Sequence, residues 1–158
     1  MYSEKAQELI RRLEKKGLYI AVAESCTGGK LSDAIVSVPG ASKVFKEGFV
    51  TYSNSAKIKT LQVPAEVINK KGAISGETAE LMARGAALNS GADIGLSTTG
   101  NAGPAGDEGK PVGLVYIGFF KDGKTGFGEF RFEGDREAVR SAAALKALEY
   151  ISEVLDTE

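Results

Sequence analysis

The chain has 158 residues, 42% hydrophobic and 26% charged, with a formal net charge of −1; this is a globular composition with material for one sizeable core and no basic field to attract nucleic acid. It has no histidine and a single cysteine, Cys26, which excludes Ser-His-Asp and Cys-His catalysis, histidine-based zinc sites, an intrachain disulfide and cysteine-rich metal clusters. No apolar run approaches the ~20 residues of a membrane span and nothing at the start reads as a signal peptide, so a cytoplasmic protein is expected, with neither membrane nor nucleic acid as a partner.

A helix is predicted over 3–16: Ser3 can cap it, Ala6, Leu9, Ile10 and Leu13 form one apolar face, and Lys15-Lys16-Gly17 is a stop signal. An apolar strand over 19–24 runs into Glu24-Ser25-Cys26-Thr27-Gly28-Gly29. A helix then follows, with Leu31, Ala34, Ile35 and Val38 at i, i+3, i+4 and i+7, ending near Pro39-Gly40. Ser25 therefore lies at a strand tip ahead of a helix N-terminus, where free N–H groups and the helix dipole stabilise anions and oxyanions. The plainer reading is that Thr27 caps the helix and Ser25 ends the strand. Residues 47–52 form a second strand, and Ser53-Asn54-Ser55 open a short helix that carries Lys57 in its first turn or so. Tyr52 at a strand end and Lys57 behind it repeat the geometry around Ser25. Without a functional context they read as a half-buried aromatic and a solvated lysine.

Pro64 begins a short helix, 64–70. Ser75 caps another over about 76–89, whose Ala79, Met82, Ala83 and Ala86 form a small-residue face suited to close packing. A third strand, 93–99, ends in the loop Gly100-Asn101-Ala102-Gly103-Pro104-Ala105-Gly106-Asp107, whose glycine spacing matches neither a P-loop nor a dinucleotide fingerprint. The stretch 112–120 is apolar nearly throughout, as a strand covered on both faces requires. Asp122-Gly123 is a hairpin signal leading to a strand over about 125–132. Asp135 caps the last helix, which places Arg136 and Arg140 four apart near its N-terminus, an arrangement that an anionic ligand would stabilise. The alternation of segments predicts one domain over 1–158, a three-layer α/β/α sandwich with a mixed, mostly parallel sheet of about five strands.

Ligands of such sheets bind beyond the carboxyl ends of the strands. Three of those ends carry polar or glycine-rich continuations here: 24–29, 52–57 and 99–106. With no histidine available, a serine nucleophile and a lysine base make the most economical catalytic pair, provided the lysine pKa falls toward neutrality. Cys26 is the rival nucleophile, since a thiolate at a helix N-terminus would be activated.

These residues resemble the CinA C-terminal domain family, whose active members are nicotinamide-mononucleotide deamidases. The matching stretches are Ala23-Glu24-Ser25-Cys26-Thr27-Gly28-Gly29, Gly48-Phe49-Val50-Thr51-Tyr52-Ser53-Asn54 with Ala56-Lys57, Gly100 with Ala102-Gly103-Pro104, Lys110-Pro111-Val112-Gly113, and Gly134-Asp135-Arg136 with Val139-Arg140. They occur in family order along nearly the whole chain. The resemblance implies a metal-free, cofactor-free amidohydrolase acting on a pyridine mononucleotide, with Ser25 as nucleophile, Lys57 as base and Tyr52 assisting. It implies substrate contacts from Thr27, Gly28, Gly29, Thr99, Gly100, Ala102, Gly103 and from Arg136 or Arg140, and preference for Ser25 over Cys26 rests mainly on it. A homodimer is expected from the small-residue faces and from family habit. Asn101 departs from the apolar residue many members carry there. Many members also have a separate N-terminal domain resembling molybdopterin-binding proteins, whose activities are not expected of these residues. A non-catalytic nucleotide- or partner-binding module on the same fold is the alternative.

Overall fold

The structure, a computed structural model, describes residues 2–157, with side chains from residue 4 onward; the capping role expected of Ser3 lies outside the described residues. The elements run α1 (Tyr2–Lys16), β1 (Ile20–Glu24), α2 (Lys30–Val36), β2 (Phe45–Val50), α3 (Asn54–Leu61), α4 (Ala65–Lys71), α5 (Gly76–Ser90), β3 (Ile94–Gly100), β4 (Leu114–Lys121), β5 (Lys124–Arg131) and α6 (Arg136–Asp156). One five-stranded sheet has the order β2-β1-β3-β4-β5. β1 pairs in parallel with β2 and β3, and the last two pairings are antiparallel. Four of the five strands therefore point the same way, which gives the expected mixed, mostly parallel sheet.

Two cores flank the sheet. On one face α1, α2 and α6 bury Leu9, Leu13, Leu31, Ile35, Leu148 and Ile151 against Val22, Leu96 and Ile117. On the other, α3, α4 and α5 bury Leu61, Val63, Ile68 and Met82 against Ala21 and Ala23. The small residues of α5 act as expected. A Cβ on Gly95 would collide with the Ala83 carbonyl, and one on Gly118 with that of Ala79, so helix and sheet meet backbone to backbone. Ser97 Oγ donates to the Ala79 carbonyl at 2.5 Å across the same contact.

Three boundaries differ from expectation in ways that shape the site. β2 ends at Val50 rather than at residue 52: Thr51 N still donates to the Glu24 carbonyl (2.9 Å), but the chain then turns away from the sheet. β4 starts at Leu114 rather than 112, because Pro111 has no N–H and Gly113 takes a left-handed turn (φ +92°) pressed against the Phe132 carbonyl. α2 starts only at Lys30 and ends at Val36, short of Pro39-Gly40.

Candidate active site at the strand ends

Because β2, β1 and β3 are parallel neighbours, their carboxyl ends lie side by side. Ser25 leaves the middle strand, Thr51-Tyr52 leave one neighbour and Gly100-Asn101-Ala102 leave the other. The chain crosses from β2 to β3 over β1, so this is also where the connections diverge to opposite faces, the usual position of a ligand crevice in an open α/β sheet. A cleft of about 140 Å³ opens there, lined among others by Ser25, Cys26, Tyr52, Lys57, Thr99 and Arg136. That is below the ~300–1,000 Å³ of sites that enclose a drug-sized ligand and suits a single ring with its substituent.

The central feature is a buried Ser–Lys pair. Lys57 sits in the first turn of α3, whose N-cap Ser53 accepts from Ala56 N at 3.1 Å. Its side chain is only 1% exposed. Nζ lies 2.9 Å from Ser25 Oγ, 2.8 Å from the Thr51 carbonyl and 3.2 Å from the Tyr52 carbonyl. The turn that ends β2 therefore serves to aim two carbonyls at the lysine. Burial lowers the Lys57 pKa from 10.5 to about 8. A neutral amine keeps two N–H donors and one lone pair. With the two carbonyls taking the donors, the lone pair faces the serine hydroxyl, which is the arrangement a general base needs.

Cys26 is buried, and its thiol pKa is pushed up to about 12, mainly by burial. A thiol held protonated is a poor nucleophile, so the geometry and electrostatics favour its neighbour.

The α2 N-terminus is not the open anion site that the sequence suggested. Glu24, fully buried, turns its carboxylate into it. Oε1 accepts from Thr27 Oγ1 (2.6 Å), Gly29 N (3.1 Å) and Leu31 N (2.9 Å). Oε2 accepts from Ser32 N (2.8 Å) and Ser32 Oγ (2.6 Å). Thr27 is accordingly not the cap, a position Gly29 holds without a side-chain bond. Its hydroxyl is shared between Glu24 and Thr98 (2.7 Å), and it has no exposure to the cleft. Gly28 and Gly29 (φ +55° and +109°) shape the turn, and Gly28 N donates to the Ser25 carbonyl. The backbone amides of Cys26 and Thr27 donate to no oxygen among the described residues.

The two arginines separate. Arg136 lines the cleft, donating to the Gly103 carbonyl and, through Nη2, to Tyr52 Oη at 3.1 Å. Arg140 points behind the turn, donating to the Cys26 carbonyl (3.0 Å) and the Thr27 carbonyl (3.1 Å). Tyr52 is exposed and reaches Lys57 through its carbonyl rather than its hydroxyl. Thr99, Gly100 and Ala102 line the cleft, with Thr99 Oγ1 donating to the Ala73 carbonyl (2.8 Å). Asn101 also lines it, but its amide is spent within the loop, accepting from Gly103 N and donating to the Lys110 carbonyl.

Sequence reasoning missed Glu24 as an anchor and missed Glu108, Asp107, Asn54 and the 73–74 linker as parts of the wall. A carboxylate in a wholly buried strand segment was the available signal for Glu24, since a charge there must find several donors.

The family model described as CinA C-terminal domain matches residues 3–155. A "CinA-like protein" from Kosmotoga olearia is 50% identical over 148 residues, which is 93% of this chain and 36% of that protein. One from Dictyoglomus thermophilum is 50% identical over 140 residues, 88% of this chain and 34% of that one. The chain thus spans about a third of the length of the curated relatives it matches. Among solved structures, competence damage-inducible protein A from Klebsiella pneumoniae superposes with a TM-score of 0.95 at 36% identity, covering 98% of this chain and 97% of that one. Competence/damage inducible protein CihA from Agrobacterium tumefaciens gives 0.92 at 38% identity, covering 96% and 94%.

Proposed function

Since the chain belongs to the CinA C-terminal domain family, we propose that it is a Ser/Lys amidohydrolase that deamidates nicotinamide mononucleotide to the corresponding acid and ammonia. The observation that carries this reading is the buried Lys57 amine, 2.9 Å from Ser25 Oγ and bound to two carbonyls. Neutral Lys57 takes the serine proton as Oγ attacks the carboxamide carbon. The oxyanion of the tetrahedral intermediate is received by the Cys26 amide, the residue after the nucleophile, joined by that of Thr27. Collapse breaks the C–N bond as the Lys57 ammonium gives its proton to the carboxamide nitrogen, which leaves as ammonia. Lys57 then deprotonates the water that hydrolyses the nicotinoyl ester and restores Ser25. Arg136 at the cleft mouth, braced by Tyr52, holds the phosphate. Arg140 positions the nucleophile turn through two carbonyls.

The test is ammonia release from nicotinamide mononucleotide by the purified chain, with the acid product identified by chromatography. Stoichiometric ammonia and acid are expected. Tight binding of the nucleotide without ammonia would overturn the hydrolase reading in favour of a non-catalytic binding module.

A further inference from the structure

One wall of the cleft carries charge that amide hydrolysis does not use. Glu108 and Asp107 line the same small space as Ser25, Lys57 and Arg136. Glu108 is held in place: Oε2 accepts from Ala73 N at 2.9 Å and Oε1 from Ile74 N at 3.0 Å. Its backbone is left-handed (φ 54°), a conformation that is unfavourable for a non-glycine residue and needs support from its surroundings. That support is present. Lys110 Nζ donates to the Ile74 carbonyl at 2.8 Å, and Asn101 ties the strap to the Lys110 carbonyl. Gly72 leaves the room, because a Cβ there would lie 2.5 Å from Glu108 Oε1. Both partners of the carboxylate are neutral amides, so neither cancels its charge, and its field reaches Lys57.

A nicotinamide ring seated with its carboxamide at Ser25 shares this cleft of about 140 Å³ with the Glu108 side. In the oxidised nucleotide that ring is a pyridinium cation; in the dihydropyridine form it has nearly the same outline and no charge. The Arg136 guanidinium on the cleft wall disfavours a cationic ring, and a fixed carboxylate offsets it. We propose that Glu108 is the counter-charge for the pyridinium ring, so that the site selects N-substituted pyridinium carboxamides over amides on a neutral ring. This specificity role rests on the amidohydrolase reading above. Asp107, on the adjacent exposed position, adds to the same field.

The experiment compares kcat/KM for ammonia release from oxidised and reduced nicotinamide mononucleotide in the full chain and in Glu108→Gln and Glu108→Asp. The same nucleotides are titrated by calorimetry into each protein in a Ser25→Ala background, which keeps binding separate from turnover. The wild type prefers the oxidised form. Glu108→Gln cuts that preference about fivefold, the scale of one solvent-screened charge pair, through weaker binding of the oxidised form alone. Glu108→Asp, which keeps the charge, retains most of it. An unchanged preference in Glu108→Gln, by binding or by turnover, overturns the proposal while leaving the hydrolase reading intact. Binding preference that depends on Glu108 without ammonia from either form supports Glu108 and overturns the hydrolase reading. Failure of both nucleotides to bind overturns both readings.

Discussion

Replacing Lys57 by methionine tests the lowered lysine pKa without reference to any substrate. In the unfolded chain the amine titrates near 10.5 and in the folded chain near 8. Between those values the unfolded state binds more protons, so stability contributed by this group rises with pH. Below pH 8 the native chain carries a buried ammonium at a disadvantage of about 3 kcal/mol, the free-energy equivalent of that pKa difference. The disadvantage fades as pH climbs through 8 and is gone above 10.5. Lys57→Met has no such titration. The stability of the wild type relative to the variant should therefore increase by about 3 kcal/mol from neutral to strongly alkaline pH, most of it by pH 10. Urea denaturation of both proteins at pH 7, 8, 9 and 10 measures this difference, in which titrations common to both cancel. A constant difference across that range would refute the claim that burial depresses this amine. Catalysis should report the same group with the same sign: kcat/KM rises with pH and levels off above about 8, as the amine becomes a base.

Glu24→Ala strands three helix amides and two hydroxyls that the carboxylate now satisfies. It should cost about 3 kcal/mol and lower the melting temperature by roughly 6–12 °C in calorimetry; an unchanged melting temperature would show that the anchor is dispensable. Gly118→Ala drives a methyl into the Ala79 carbonyl, so denaturation should reveal a loss of about 1–3 kcal/mol as α5 is pushed off the sheet. The arginines should part in steady-state kinetics. Arg136→Ala raises KM for the nucleotide about tenfold at unchanged melting temperature, the scale of one lost charge-assisted contact. Arg140→Ala lowers kcat and stability together because it loosens the Ser25 turn; identical behaviour of the two variants would contradict this division.

The elements that could be read from the sequence are those whose signals are local. Apolar runs marked β1 and β4, Asp122-Gly123 marked the hairpin, and the small-residue face of α5 announced a close packing that the structure places against Gly95 and Gly118. The boundaries that slipped are set by partners distant in sequence. β2 stops at Val50 because its continuation is turned toward Lys57, and the α2 N-terminus is claimed by Glu24 from five to eight residues upstream, a spacing outside the usual capping box. Ser25 and Lys57, 32 residues apart, were each recognisable as candidates. Their meeting depends on β1 and β2 being parallel neighbours, which alternation of strands and helices does not specify. Local pattern also could not separate Arg136 from Arg140: two arginines four apart on one helix face look alike until the neighbouring turn is in place, and then one faces the cleft and the other braces the backbone. Glu108 gave no periodic signal because a loop residue is placed by its hydrogen bonds rather than by a repeat.

The most direct test of the account compares ammonia release from nicotinamide mononucleotide by wild type, Ser25→Ala and Lys57→Ala at pH 8.5, with folding checked by circular dichroism. Loss of at least about 10³-fold in kcat in both well-folded variants is the predicted result, as expected when a nucleophile and its base act as one unit. Wild-type turnover persisting in Ser25→Ala would contradict it and transfer the attack to Cys26 or to water.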